Sequence, residues 1–289
     1  MSASLTEQAP AKINLTLRVL GRRADGYHEL ESLVAFADLA DTVDLRPGAA
    51  LALDVSGPFA AASGSVAGNL VLKAAAALRR HVPDLATGHF HLEKRIPVAG
   101  GIGGGSADAA AALRLLARAN DLPFADPRLA AAALATGADV PVCLDPRPRV
   151  MRGIGEELTP PVELPRFAAV LVNPGVALLT RDVFAGLSLP PGKTNEPSAV
   201  PHEPAALLDY LKAQGNDLAA PAIARAPVVA EVLDALRQAR GVRFAAMSGS
   251  GPTCFALFAS EPEAAAAAQN LQSARKGWWV HAGHIGAQP

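Results

Sequence analysis

The 289-residue chain carries almost no excess charge: 26 Lys and Arg stand against 27 Asp and Glu, a formal net charge of −1. Neutralising phosphates along a nucleic acid needs a clustered basic excess, so this balance argues against such a partner and makes any anion site local. Cysteine is scarce. The two present, Cys143 and Cys254, lie in the apolar runs VPVCL and TCFALF, as reduced core thiols do; no disulfide framework is expected, and a cytoplasmic setting is. Aromatics are only 4% although half the residues are hydrophobic, which calls for a core of closely packed small side chains. No apolar run approaches the roughly 20 residues of a membrane span. The N-terminal MSASLTEQAPAK has no basic segment ahead of an apolar core, so neither a membrane nor a secretory signal is expected. His89 and His91 alternate on one stretch, but no third ligand lies at a recognisable spacing, so no protein metal site is expected.

Glycine, by contrast, is concentrated in one place. The stretch from His91 to Asn120 reads as a strand ending at Ile96, a loop with Gly100, Gly101, Gly103, Gly104 and Gly105, and a helix opening at Ser106. Five glycines in six positions let the backbone reach positive φ, so successive N–H groups can turn toward one anion. The helix behind them adds unpaired first-turn N–H groups, and the pattern predicts a polyphosphate cradle with Lys94 and Arg95 as a local cationic pair. It is neither a Walker loop, which ends in Gly-Lys-Ser/Thr, nor a dinucleotide fingerprint, whose third glycine is replaced by Ser106. Gly192-Lys193-Thr194 mimics a Walker tail but lies in the proline-rich LPPGKTNEP and reads as an ordinary loop.

Residues 11 to 20 alternate strictly, with Ile13, Leu15, Leu17 and Val19 on one face and Lys12, Asn14, Thr16 and Arg18 on a face expected to be solvated. A turn at residues 23 to 26 exposes Tyr27 and His28, and further strands are expected through Leu33 to Phe36, 41 to 45 and 51 to 55. Asn69 is placed to cap the helix LVLKAAAALRRH. Pro141 pushes Val140 toward an extended conformation, which leaves Asp139 in a loop or cap before a hydrophobic run. A composition change at residues 151 to 161 suggests two domains, 1–155 and 156–289. The second half ends as helix, strand, the turn SGSGPT, strand, helix, strand, an α+β layer resembling a ferredoxin-like half.

Pro10 to Leu15 (PAKINL), the loop from Pro97 to Ala107 and SGSGPT together resemble the three motifs of the GHMP small-molecule kinases, and their spacing fits along the whole chain. GRRADGYHEL, GADVPVCL and NPGVALLTRDVF resemble the branch acting on 4-diphosphocytidyl-2-C-methyl-D-erythritol in non-mevalonate isoprenoid synthesis. The resemblance implies an α+β, two-domain GHMP kinase fold, ribosomal-protein-S5-domain-2-like at the N-terminus and ferredoxin-like at the C-terminus. It implies ATP-dependent phosphorylation of the substrate's 2-hydroxyl, with Mg²⁺ on the nucleotide, and a monomer or weak homodimer. Lys12 and Asp139 match the catalytic pair. Pro97, Val98, Ala99, Gly100, Gly101, Ile102, Gly103, Gly104, Gly105, Ser106 and Ala107 match the ATP loop, with Asn69 and Lys94 near the nucleotide. Tyr27, His28 and Phe184 match residues that hold cytidine, Tyr27 and Phe184 on opposite faces of the base, and Asn14 matches a contact near the diphosphate or erythritol end. Two departures stand out: Ala99 replaces a usual glycine, and Arg181 stands where relatives often have proline. Rival readings are a homoserine- or mevalonate-type GHMP kinase and a ligand sensor without turnover; the Lys12 and Asp139 pair speaks against the sensor.

Overall fold

The computed structural model describes residues 4–48, 50–187, 199–201 and 203–286; the Gly192-Lys193-Thr194 loop lies outside them. In chain order the elements are β1 (Leu5–Asn14), β2 (Arg18–Arg22), β3 (His28–Gly48), β4 (Ala52–Ser56), α1 (Leu70–His81), β5 (Thr87–Glu93), α2 (Gly104–Ala119), α3 (Pro127–Thr136), α4 (Val140–Leu144), β6 (Arg149–Gly153) and β7 (Glu157–Leu158). There follow β8 (Phe167–Asn173), α5 (Thr180–Ala185), α6 (Pro204–Gln214), α7 (Ala219–Arg225), α8 (Val228–Arg237), β9 (Val242–Met247), β10 (Cys254–Phe258), α9 (Glu261–Ala274) and β11 (Trp279–Gly286).

Contacts divide the chain into two compact units, each assembled from separate segments. Unit 1 takes residues 1–12, 39–98 and 103–146; unit 2 takes 13–38, 99–102 and 147–289. This grouping differs from the single division expected at 155/156, because residues 13–38 pair with strands of the C-terminal half: Leu30 to Val34 run antiparallel to β6, and Phe36 and Ala37 to β11.

In unit 1 the second half of β3 pairs antiparallel with β5, and β4 runs parallel to β5 on its other side. Alternation along β5 buries Phe90 and Leu92 and exposes His89 and His91, which pair with Asp54 and Ser56 respectively. Helices α1, α2 and α3 pack on one another through alanine: Ala74, Ala75 and Ala77 of α1 and Ala109 to Ala112 of α2 are all buried. Small side chains let these helices approach closely, which is how a core forms with so few aromatics. Asn69 caps α1 as expected, its side chain accepting from the Val71 N–H.

In unit 2 the strand order β11–β8–β10–β9 is antiparallel throughout, with α8 packed on β9 and β10 and α9 on β8, β10 and β11. That is the ferredoxin-like layer the sequence pattern suggests. Three local expectations change. The strand expected over residues 11 to 20 breaks after Asn14, because the Leu15 and Thr16 N–H groups both turn to the Leu33 carbonyl (2.8 and 3.4 Å). Its polar face is not solvated either: Lys12, Asn14 and Thr16 are 3%, 1% and 2% exposed. The expected short strands around 33–36 and 41–45 are one strand, since no glycine or proline interrupts β3 before Pro47.

Candidate active site

The side chains singled out in unit 1 gather where β1 ends and α4 begins. Lys12 Nζ lies 3.0 Å from Asp139 Oδ1; the lysine side chain is 4% exposed and the aspartate 40%. A buried ammonium is costly unless paired, and here the partner is a carboxylate that reaches solvent. Asp139 occupies the position before α4, but its side chain makes no capping bond, which leaves it available to Lys12. Val140 is helical and not extended as expected; Pro141 sits in the first turn, where its missing N–H is no loss. Arg114, which sequence reasoning missed, ties this corner together. From α2 it donates to Glu7 (2.9 Å) and the Gln8 carbonyl (2.7 Å) on β1, and to the Cys143 carbonyl (2.9 Å) at the far end of α4. Nearby Cys143 is fully buried, and burial pushes its thiol up to about 12, so it is inert.

The glycine loop closes directly over Lys12. Gly103 has φ +65° at the head of α2, which starts at Gly104 and not at Ser106. A Cβ on Gly103 would stand 3.0 Å from Lys12 Cβ and 3.3 Å from its Cε. On the unit 2 side, Gly101 (φ +74°) passes so close to the SGSGPT turn that a Cβ would meet the Gly251 carbonyl oxygen at 2.6 Å. That turn is a β9–β10 hairpin, and it also holds the loop: the Ser248 hydroxyl donates to the Gly101 carbonyl (3.0 Å), and the Thr253 N–H to that of Gly100 (3.1 Å). Ser248 Oγ in turn accepts from the Asn14 N–H at 3.0 Å. Asn14 Nδ2 donates to Ser32 (2.7 Å), whereas its buried Oδ1 has no protein partner, a free acceptor that a ligand hydroxyl would satisfy. Ala99, where a glycine is usual, takes a left-handed φ of +54°.

Lys94 behaves differently from the expected phosphate ligand. Its ammonium is buried between Asp41 and Asp108, with the Asp108 contact at 2.8 Å. Burial alone would lower the Lys94 pKa; the Asp108 and Asp41 carboxylates more than offset that and raise it. Burial pushes Asp108 up to about 8 against the pull of Lys94. Arg95, the other member of the expected pair, bonds Glu93.

The aromatic residues lie in unit 2. The His28 and Phe184 rings stack at 4.9 Å and 27°, while Tyr27 stands 61% exposed after its turn. One face of Phe184 is thus already covered, and His28 joins it more closely than the expected Tyr27–Phe184 pairing suggests. Burial, then the charge of Arg22, lowers the His28 pKa below its ordinary value, so the ring is neutral at pH 7. Among the described residues no group of three His, Cys, Asp or Glu side chains could hold a metal, and no helix is long and apolar enough to cross a membrane.

A glycine loop running into a helix, a hairpin holding that loop and a buried lysine on an accessible aspartate define a small-molecule kinase of the GHMP type. The models of the GHMP kinases N terminal domain and the GHMP kinases C terminal match residues 69–145 and 202–276. Proteins named 4-diphosphocytidyl-2-C-methyl-D-erythritol kinase from Rhodopseudomonas palustris and Bradyrhizobium diazoefficiens are 58% and 54% identical over 98% of the chain, covering 97% and 98% of their own lengths. A crystal structure of 4-(cytidine 5'-diphospho)-2C-methyl-D-erythritol kinase is 34% identical, with a TM-score of 0.77 over 98% of this chain and 100% of that one. The homoserine kinase of Cytophaga hutchinsonii, 17% identical at a TM-score of 0.67, covering 98% of this chain and 95% of its own, shares the fold alone. The chain belongs to the 4-diphosphocytidyl-2-C-methyl-D-erythritol kinase family of the GHMP kinases.

Two variants test the loop. Gly103→Val sets a branched side chain against Lys12 at a positive φ, and is expected to raise KM for ATP steeply; unchanged ATP kinetics in a folded variant would move the phosphate site elsewhere. Ala99→Gly relieves a left-handed alanine, and is expected to add up to about 1 kcal/mol in chemical denaturation. A lower midpoint would mean that Ala99 is not strained.

Proposed function

We propose that the protein transfers the γ-phosphoryl group of ATP to the 2-hydroxyl of 4-diphosphocytidyl-2-C-methyl-D-erythritol, in the non-mevalonate route to isoprenoid precursors. The observation that carries the chemistry is the pairing of Lys12 with Asp139 at 3.0 Å, one buried and the other accessible. Phosphoryl transfer needs positioning and charge stabilisation more than covalent help. Asp139 accepts the hydroxyl proton, and Lys12 orients that carboxylate and offsets charge developing on the transferred group. Residues 97 to 107 cradle the phosphates with backbone N–H groups, and Asn69, at the head of α1, lies toward the nucleoside.

Magnesium, when bound, neutralises the phosphate charge. Ser106, half-buried in the first turn of α2, is the residue that would hold it. With no cluster of three ligating side chains among the described residues, the donor set fits an ion carried mainly by the nucleotide. In unit 2, Phe184, Tyr27 and His28 hold the cytidine, with Asn14 Oδ1 toward the alcohol end. A base stacks on Phe184 by taking the place of the imidazole that now covers it. The balanced charge supports an enzyme without a nucleic-acid partner, and we extend the proposal to a cytoplasmic protein working as a monomer or weak homodimer.

Asp139→Asn is expected to lower kcat by about 10²–10⁴ with ATP binding nearly intact; near-wild-type turnover would assign the deprotonation to another group or to none. A panel of acceptor alcohols, homoserine and mevalonate included, tests the substrate, and turnover of either in preference to the cytidyl compound would overturn the reading. Phe184→Ala is expected to raise KM for the cytidyl substrate roughly ten- to a hundredfold, and KM for ATP by less than about twofold. Because the His28 pKa is lowered, the neutral ring persists through the ordinary imidazole range. KM for the cytidyl substrate should therefore stay flat as pH falls to about 6.5 and rise only below it, a limb that His28→Gln removes.

A further inference from the structure

Lys94 stands at the entrance of the glycine loop and touches its exit. From the residue after β5, its ammonium reaches Asp41 on β3 and Asp108 on α2, 2.8 Å away in the second contact. Its Nζ lies 3.4 Å from where a Cβ of Gly104, the first residue of α2, would stand. Asp41 completes the arrangement. Its second oxygen accepts the backbone N–H groups of Arg95 (2.5 Å) and Ile96 (2.8 Å), the last residues before the loop. Asp41 is fully buried, Asp108 only 2% exposed and Lys94 3%, so the ammonium meets two carboxylates and almost no solvent.

The cluster holds one cation and two acids, and the bonding shows where the odd proton belongs. Asp41 accepts on both oxygens. Asp108 accepts on Oδ2 only, and its buried Oδ1 has no partner. An unpartnered buried carboxylate oxygen is costly when ionised, so Asp108 is the member of the cluster that favours its protonated form.

We propose that Lys94, Asp41 and Asp108 form a clasp that sets the two ends of the phosphate loop at their working separation, with Lys94 as a positioning residue that does not itself touch the nucleotide. The inference rests on the reading of residues 97 to 107 as the ATP site. It explains why a lysine beside a phosphate loop is buried under two acids: its charge holds the strand end to the helix, and the anion is left to the backbone N–H groups. A direct phosphate ligand would have to leave both partners.

Steady-state kinetics with both substrates varied, together with melting temperatures, tests this on Asp108→Ala, Asp108→Asn and Lys94→Met, with Gly103→Val alongside. Asp108→Ala removes one anchor and is expected to raise KM for ATP about tenfold, the loss of one charged hydrogen bond, with kcat and KM for the acceptor within about twofold. Asp108→Asn mimics the protonated carboxyl and still accepts from Lys94, so it should restore KM for ATP to within about threefold of wild type. Lys94→Met should cost at least as much as Asp108→Ala. If Lys94→Met raises KM for ATP and Asp108→Ala leaves it unchanged, Lys94 binds phosphate directly and the clasp is wrong. If Asp108→Ala shifts both KM values together with the melting temperature, the cluster is only structural and the proposal is equally overturned. Should Asp108→Ala not fold, Asp108→Thr takes its place under the same criteria. Gly103→Val separates the levels: a rise in its KM for ATP without one in Asp108→Ala defeats the clasp and leaves the loop as the ATP site, whereas no rise defeats that site as well.

Discussion

Withdrawing an ammonium or guanidinium from water costs several kcal/mol unless the charge is met by a well-placed partner. Among the described residues unit 1 buries two such groups, Lys12 and Lys94, and half-buries a third, Arg114; their side chains are 4%, 4% and 11% exposed. The partners come from different elements, Asp139 before α4, Asp41 on β3, Asp108 on α2 and Glu7 on β1. Satisfying the three cations therefore fixes α2 and α4 against the strands. A helix built largely of alanine offers smooth packing with little to set its register, so these polar contacts supply the specificity that the apolar contacts lack.

Within unit 2, Gly100 and Gly101 of the glycine loop depend on the SGSGPT hairpin. Their backbone is held through carbonyl groups, with Gly100 and Gly101 accepting from Thr253 and Ser248. Holding Gly100 and Gly101 by their carbonyls spends no N–H group of the loop, which is the polarity a phosphate needs. The left-handed Ala99 shows how far the surroundings determine this path, since an L-residue there is strained by about 1–2 kcal/mol and adopts the conformation nonetheless.

Much of this is legible in the linear chain. Glycine density between a strand and an alanine-rich helix is a local property, and it marks the candidate phosphate loop without any tertiary information. Helix ends at Asn69 and Gly137 follow from capping chemistry, and the ferredoxin-like order of elements follows from alternating periodicity. The resemblance of PAKINL, DGYHEL and GADVP to a kinase branch singles out Lys12, His28 and Asp139, the first and last of which the fold brings together.

Other features depend on contacts that no local signal encodes. Period-two alternation predicts which residues of a strand share a face, but whether that face meets solvent depends on what packs over it; hence Lys12, Asn14 and Thr16 look solvated in sequence and are buried in the fold. A division of the chain by composition cannot see that residues 13–38 pair with β6 and β11, because strand pairing joins segments distant in sequence. Asp41, Asp108 and Arg114 carry no motif of their own, and their importance comes from the buried charges they meet. The sequence by itself determined the loop, the caps, Lys12 and Asp139 as candidates and the order of elements, since each rests on neighbours within a turn or two or on a recognisable motif. Only the tertiary structure decided which charges are buried and who answers them, because desolvation is a property of the surroundings and not of the residue.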